Sequence, residues 1–495
     1  MKKMTLKMRL LGGLVAVSML FVAGSCAQGA DCDEVFSAGV TNAQLESPIL
    51  DGSNFTILDT EEGYKLQISW PVVYGAGGYE VKVANAAEPE TFLMDTLLDG
   101  CTVMVPVVED NSYAVSIKTA GNAKYNNKAA ETTSTHVFNV MGTKLQIPSG
   151  EEISSYIAAN PLTPAVPSLG LRYELEAGGT YTLEGTVDFN LNKVKVVGDA
   201  ERRPTVTIKS DGCFMTSAGL QVKDINFDCI ERTSKGIITF STTQDPSLLN
   251  QNMGLSGISR DAHLIMAPIV IQNCNFKDVS NSFIFNNEKN WALYDLRIVN
   301  CIIQFAYDGS NPMVVHFKKG NYSHICYFTI QNSTIFNTKD TKCVWVQYAS
   351  NQNPDKIFGS LEKNKSYYLL ENSTFHNPNT TDYGGNMVNN TPNTGTHNIY
   401  WYNNIFYNQN NPSKWIGSCK SKYTNNTVYR HDGNDKKYDA DVIASGDVST
   451  GTPEDPAFEG PIQSLDLSQP NGGVSFKPTG ANALAGRRGD PRWLN

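Results

Sequence analysis

The chain has 495 residues, 40% of them hydrophobic, and a formal net charge of −9. This length supplies two or three domains with cores of their own, and the acidic balance argues against nucleic acid as a partner. The ten cysteines are scattered, with no C-x-x-C pair, which excludes zinc-finger spacing and makes a full disulfide framework a poor fit.

Residues 1–25 have the layout of an export signal. MKKMTLKMR is a basic start, LLGGLVAVSMLFV an apolar stretch, and AGSC brings small residues up to Cys26. The apolar stretch is too short to remain as a spanning helix. A cleavage site that stops at cysteine resembles a bacterial lipobox, which implies that Cys26 is lipidated and becomes the mature N-terminus. Ordinary cleavage near Ala27–Ala30, removing Cys26, is the alternative. Asp31, Asp33 and Glu34 follow at once, which resembles the acidic tag on surface lipoproteins of glycan-degrading Gram-negative bacteria. The resemblance implies a lipid-anchored protein on the outer face of the outer membrane, with residues 26–46 as a linker.

Residues 47–140 alternate apolar and polar positions between turns, as in YKLQISWPVVYGAGGYEVKVAN and NSYAVSIKTAG. About a hundred residues of short alternating strands predict a β-sandwich. Trp70, Gly78-Tyr79-Glu80-Val81 and Tyr113-x-Val115-x-Ile117 resemble a fibronectin type III module. That resemblance implies a spacer or a binding surface.

Beyond Gly142 one phrase recurs. QNSTIFN (331–337) returns as ENSTFHN (371–377), and looser copies start at Asp224, Asn273, Asn300, Asn403 and Asn425. The heads are 49, 27, 32, 40, 31 and 22 residues apart. A helical solenoid keeps a fixed period and a 3.6-residue pattern, whereas each copy here sits in a β-branched and aromatic run. Irregular spacing above a minimum near 22 predicts an all-β right-handed parallel β-helix over residues 141–495, with loops of varied length at its corners. Asn tolerates left-handed backbone, so stacked corners would form an asparagine ladder. Phe227, Phe276, Ile303, Ile335, Phe375, Phe406 and Val428 would then stack as a core column. Cys274 and Cys301, each just after a head, would stack as small buried side chains or pair between rungs. KLQIPSGEEISSYIAAN predicts a capping helix with Ser149 as N-cap.

LRYELEAGGTYTLEG and VVGDAERR, through Leu175, Gly179, Tyr181, Val197 and Gly198, resemble the opening of pectate-lyase-like proteins. The tail, through Asp490, Pro491, Arg492 and Trp493, resembles the close of uncharacterised β-helix lipoproteins from glycan-utilisation systems. These resemblances imply polysaccharide as the partner.

The candidate site is a face of three stacked segments: SFIFNNEKN (282–290), MVVHFKKGN (313–321) and CVWVQYASN (343–351). Elimination from a uronate needs a base, a cation for the carboxylate and a donor for the leaving oxygen. Lys289, Lys318 and Lys319 are the candidates for these roles, with solvated corner charges as the bland reading. The layout is similar to the chondroitinase B and alginate lyase family, in which a Lys ends one strand, Arg-His-Gly ends the next and acidic residues bind calcium. Here Asn286 or Asn287 stands at the lysine place, Lys318 at the arginine place, and His316 falls on the opposite face from Phe317. Asn287 and His316 become substrate-binding candidates. Glu288, with Asn286 and Asn287, supplies hard oxygen donors that could help hold Ca²⁺, with no second carboxylate predictably adjacent. Glycosidase chemistry needs two opposed carboxylates; Asp278, Asp295, Asp308 and Asp340 cannot be paired by sequence. Trp345 and Tyr348 are expected on the surface as sugar-stacking rings. Of Trp401 and Tyr402, neighbours in a strand, only one can face out; Trp415 and Tyr383 are further aromatic candidates. Two functions follow: capture of an acidic polysaccharide, or its cleavage by β-elimination. An adhesive or purely structural role would not call for a face bearing lysines and aromatics.

Overall fold

A computed structural model describes residues 40–60, 62–339, 344–350, 353–361, 366–378, 388–389, 397–408, 420–431 and 454–494. The expectations for Cys26 and the export signal, for Asp340, and for Tyr383 and Trp415 fall outside the described residues. The chain divides after Met141 into two units.

The first unit is a sandwich of antiparallel sheets. One holds β1 (Phe55–Thr60), β2 (Gly63–Ser69) and β5 (Thr102–Pro106); the other holds β3 (Tyr79–Asn85), β4 (Phe92–Leu98), β6 (Asn111–Thr119) and β7 (Ser134–Val140). Period-two alternation places one side of each strand inside: Leu66 and Ile68, Val81 and Val83, Val115 and Ile117 are all buried. Trp70 packs edge-on against Tyr79 at 5.5 Å.

The second unit is a parallel β-helix. Its strands form sheets of eleven, nine and seven members, and within each the neighbours come from successive turns of the chain. Each turn runs from the eleven-stranded sheet through an asparagine corner to the nine-stranded sheet. It then crosses to the seven-stranded sheet and returns through a second corner. The asparagine heads occupy one corner, all left-handed: Asn273 (φ 53), Asn300 (55), Asn332 (49), Asn372 (48), Asn403 (58) and Asn425 (57), with Asp224 (59) at the start. Their side chains bond in sequence. Asn273 donates to Asp224 at 2.9 Å, Asn300 to Asn273 at 2.5 Å, Asn372 to Asn332 at 3.2 Å, Asn403 to Asn372 at 2.9 Å and Asn425 to Asn403 at 2.9 Å.

Two further columns follow from this corner. Phe227, Phe276, Ile303, Ile335, Phe375, Phe406 and Val428 stand in register in the nine-stranded sheet and are buried. Phe227 and Phe276 lie parallel at 4.6 Å, and Phe375 and Phe406 at 5.2 Å. Burying each such ring stabilises the fold by about 1.5–3 kcal/mol. One residue after the heads come Cys274, Cys301, Ser333, Ser373, Asn404 and Asn426, all buried. The cysteines are free thiols, while the side chains of the polar members accept from the preceding rung's backbone, as Asn404 Oδ1 does from Ser373 N–H at 3.0 Å.

The first rung is covered by α1 (Ile153–Ala159), whose N-cap is Glu152 and not Ser149. Ser149 Oγ instead accepts from Thr180 N–H at 3.0 Å. Burial disfavours the Glu152 carboxylate, yet hydrogen bonds from Glu184 N–H, Ser154 and Ser155 outweigh it and hold the group down to about 2.

The C-terminal segment returns along the asparagine corner. Arg488 bonds Asn425 (2.8 Å) and Thr427 (2.8 Å), Asp490 accepts from Thr334 (2.9 Å), and Trp493 Nε1 donates to Thr334 (2.8 Å). Arg492 donates to Asn300 Oδ1 at 2.9 Å and to the Asn332 carbonyl at 3.3 Å, so an arginine stands beside the step from Asn300 to Asn332. Leu465, Val474, Phe476 and Trp493 cover Ile302 and Phe336 on the outside of the nine-stranded sheet.

Candidate functional site

The three segments of the candidate face stack in the seven-stranded sheet, with Phe285, His316 and Gln347 in register. The sheet then turns through the second corner, where chain 286–290 lies against chain 318–321. Asn286 ties these corners together. Its buried amide donates to the carbonyls of Lys289 (2.9 Å) and Lys319 (2.6 Å) and to Ser323 Oγ (2.9 Å). Gly320 has φ +95, and a Cβ there would sit 2.1 Å from the Lys289 carbonyl, so only glycine allows this approach. Asn287 and Glu288 are both left-handed (φ 52 and 57). For Glu288 that conformation costs roughly 1–2 kcal/mol, and it turns the side chain toward the next corner.

The result is an open groove of about 590 Å³ lined by Glu288, Lys289, Asn290, Lys318, Lys319, Gly320, Asn321 and Ala349. The three lysines named from sequence therefore share one surface. Lys319 pairs with Glu288 at 2.7 Å, both largely exposed, and this bond to Lys319 lowers the Glu288 carboxyl below its ordinary value.

His316 points away from Phe317, which is in the core, yet it is almost fully buried. Its Nδ1 lies 3.0 Å from Ser282 Oγ and its ring 5.0 Å from Phe285. Burial first, then Lys235 and Lys318, push the imidazole down to about 4, so it is neutral near pH 7. Lys235, which sequence reasoning missed, lies over the Phe285 ring at 5.1 Å. The signal was present in strand alternation, since Phe285 shares His316's outward parity.

Several expectations are corrected. Trp345 and Tyr348 are not surface rings: both are buried in the core. Tyr348 follows the parity of Phe317, and it stacks on His324 at 4.3 Å while Trp345 meets Phe375 at 5.7 Å. Asn287 is committed to the fold, its amide donating to the Phe240 carbonyl at 2.7 Å. Asn286, at the place of the family's lysine, is buried and carries no reactive group. Trp401 is inside and Tyr402 outside.

The donors around Glu288 do not fit Ca²⁺. Among the described residues no three His, Cys, Asp or Glu gather, and the single carboxylate is already held by an ammonium group. Of the acidic candidates, Asp278 and Asp295 lie on different sheets and are not an opposed pair. Asp278 bonds Gln304 and Ser464 beside the nine-stranded sheet, whereas Asp295 pairs with Arg297 on the eleven-stranded one.

Two family models match the chain, one described as a domain of unknown function over residues 1–178 and the other as domain of unknown function DUF4957 over residues 179–338. No curated protein matches it. Among solved structures, it is similar to the Erwinia chrysanthemi pectate lyase PelI in complex with tetragalacturonic acid. That match has 10% identity over 70% of this chain and 88% of the other, with a TM-score of 0.17. The Yersinia enterocolitica family 28 exopolygalacturonase matches at 9% identity over 79% and 92%, with a TM-score of 0.16. The parallel β-helix itself is established by strand register.

Proposed function

We propose that the second corner of the β-helix binds an acidic polysaccharide. One observation carries this reading: Lys289, Lys318 and Lys319 line one groove against a single carboxylate, in a chain whose net charge is −9. A polyanion repelled by the molecule as a whole would be drawn to this patch. The groove is open along the surface, which suits a polymer better than a small enclosed ligand. Affinity electrophoresis in gels containing polygalacturonate, alginate or chondroitin sulfate tests it. The parent chain is expected to be retarded by at least one of them, and Lys318→Ala with Lys319→Ala to lose most of that retardation, more at low salt. Equal retardation of parent and double variant in every gel would remove the groove from consideration.

β-Elimination of a uronate-containing glycan is the second reading. It draws on Lys289, Lys318 and Lys319, which line the groove, as base and as the cations that would neutralise a uronate. Incubation with the same polymers, followed by the absorbance of the unsaturated uronate product, separates cleavage from capture. A flat trace leaves capture alone.

We also read the chain as a surface lipoprotein, anchored through Cys26, with the sandwich as a fibronectin type III-like spacer. The support is the basic, apolar and small-residue order of residues 1–26. Among the described residues no helix is long and apolar enough to cross a membrane. Cys26→Ala is expected to shift the protein out of the membrane fraction; a processed variant that stays with membranes would refute the anchor.

A further inference from the structure

The seven-stranded sheet has cations at both ends of its strands, and the groove accounts for one end only. Thr239, Phe285 and His316 stand in register on its outer side, from the successive strands Ile238–Phe240, Ile284–Phe285 and Val315–His316. Lys318 and Lys319 follow the last of these and line the groove. Lys235 precedes the first. Its ammonium group lies over the Phe285 ring at 5.1 Å, and that ring is 5.0 Å from His316. His316 feels the charge of both Lys235 and Lys318, so the two ends of the sheet act on one surface.

The turn that carries Lys235 is fixed from beneath. Arg232 is buried, and its guanidinium donates to the main-chain carbonyls of Gly212 (2.8 Å), Ser234, Lys235 (3.0 Å) and Gly236 (2.5 Å). Gly236 has φ +74, and a Cβ there would lie 2.8 Å from that of Phe285, so only glycine brings the turn this close to the ring. The Lys235 side chain is half-buried and held more lightly. A ring face holds an ammonium group weakly where water can reach it, so a ligand carboxylate can draw Lys235 away and leave Phe285 to pack against the sugar. Phe285 is half-buried too, and its face suits the polarised C–H bonds of a pyranose.

The charges along this path decide what can follow it. Of Lys235, Lys289, Lys318 and Lys319, Lys319 alone is paired with a carboxylate among the described residues. Asp211, bonded by the Ser234 hydroxyl, is the acid beside the Lys235 turn. The backbones of Lys235 and Lys318 flank strands two steps apart in the sheet, roughly 10 Å, at opposite strand ends. Separate acidic groups along a polymer fill such a span. We propose that Lys235 and Phe285 form a second subsite of the lysine groove, so that the ligand is a polyanion with acidic groups on more than one sugar, laid across the sheet from Lys318 to Lys235. The inference rests on the groove binding an acidic polysaccharide and adds where that chain continues.

Affinity electrophoresis of the full chain in polygalacturonate, alginate and chondroitin sulfate gels tests the proposal. In the gel that retards the parent, Lys235→Ala is expected to lose about two- to fivefold in affinity at low salt. Phe285→Leu, which removes no charge, should lose about two- to threefold. Lys477→Ala removes the same charge from a pair with Glu459 in the C-terminal segment and should run with the parent. Calorimetry with the disaccharide and the octasaccharide of the retarding polymer separates one subsite from two: the Lys235→Ala deficit should appear with the octasaccharide and vanish with the disaccharide. An equal deficit with both would place Lys235 in the first subsite and overturn the proposal, as would an equal loss in Lys477→Ala. If Lys235→Ala and Phe285→Leu run with the parent while Lys318→Ala with Lys319→Ala is released, the groove stands and the second subsite falls. If no gel retards the parent, both fall.

Discussion

Lys319 reaches back one rung to Glu288, and the two side chains meet at 2.7 Å on the lip of the groove. The pair spends one of the groove's positive charges on an internal partner. Glu288→Gln releases it. Binding of an acidic polysaccharide is expected to tighten by about two- to fivefold at low ionic strength and to converge with the parent at high salt, as for exposed charge pairs generally. Titrations at two salt concentrations measure it. Identical affinity at low salt would mean that Lys319 does not face the ligand.

Gly320→Ala should disturb the same corner without removing a charge. The added methyl group would meet the Lys289 carbonyl at 2.1 Å, on backbone with φ +95. Gly254, with φ +70 and nothing within 4 Å of where a Cβ would sit, provides the control for backbone strain alone. Gly320→Ala is expected to cost more than the roughly 1 kcal/mol of the control and to weaken glycan binding; Gly254→Ala should leave binding intact. Denaturant midpoints and affinity electrophoresis read the two effects separately.

Asn372 sits mid-ladder, donating to Asn332 and accepting from Asn403 at φ 48. Asn372→Ala loses both bonds and adds left-handed strain, an expected loss of about 2–4 kcal/mol. Asn372→Gly loses the bonds alone and should fall between parent and alanine variant. Equal midpoints for the two variants would show that the lost ladder bonds, and not the left-handed backbone, set the cost.

Acid should destabilise the β-helix before its carboxylates titrate. Burial pushes His324 down to about 4 and, with His431 adding to it, His376 to about 3. Above pH 6.5 both are neutral in the folded and unfolded chain, and their contribution is complete. As pH falls from 6.5 toward those folded values, the unfolded chain takes up protons that the native state refuses, so stability falls by up to about 1.4 kcal/mol per pH unit for each histidine. Glu152, held down to about 2, acts only below the ordinary glutamate range. Urea midpoints between pH 7.5 and 5 should therefore slope downward, less steeply in His324→Phe. An unchanged slope in that variant would exclude His324 as a contributor.

What the sequence made legible was local. Each asparagine head carries its own left-handed corner, and the apolar residue three places on follows at fixed phase, so Asn332 and Ile335 can be read without knowing their neighbours. The same alternation, carried one rung further from Phe317, assigns Tyr348 to the interior. Aromatic character had suggested the surface, but parity decides which way a strand residue points. The ring contacts from Tyr327 to Tyr367 and from Tyr367 to Tyr400 were hidden because loops of unequal length separate these residues, and only the strand pairing brings them together. The return of Arg492 to Asn300 was beyond reach for a related reason: no local pattern encodes a contact across 192 residues.

That returning tail changes how the molecule must come apart and how it is made. A solenoid with contacts only between adjacent turns frays from its free end, one turn at a time. Here Arg488, Asp490 and Arg492 fasten turns headed by Asn425, Asn332 and Asn300 to one strap, so the last turns should open as a block, with similar hydrogen-exchange protection from Asn300 to Asn425. On the ribosome the turns form in order, but Ile302 and Phe336 stay uncovered until Trp493 has emerged. Leu465, Val474, Phe476 and Trp493, far along the chain from Ile302, are the residues that close this face.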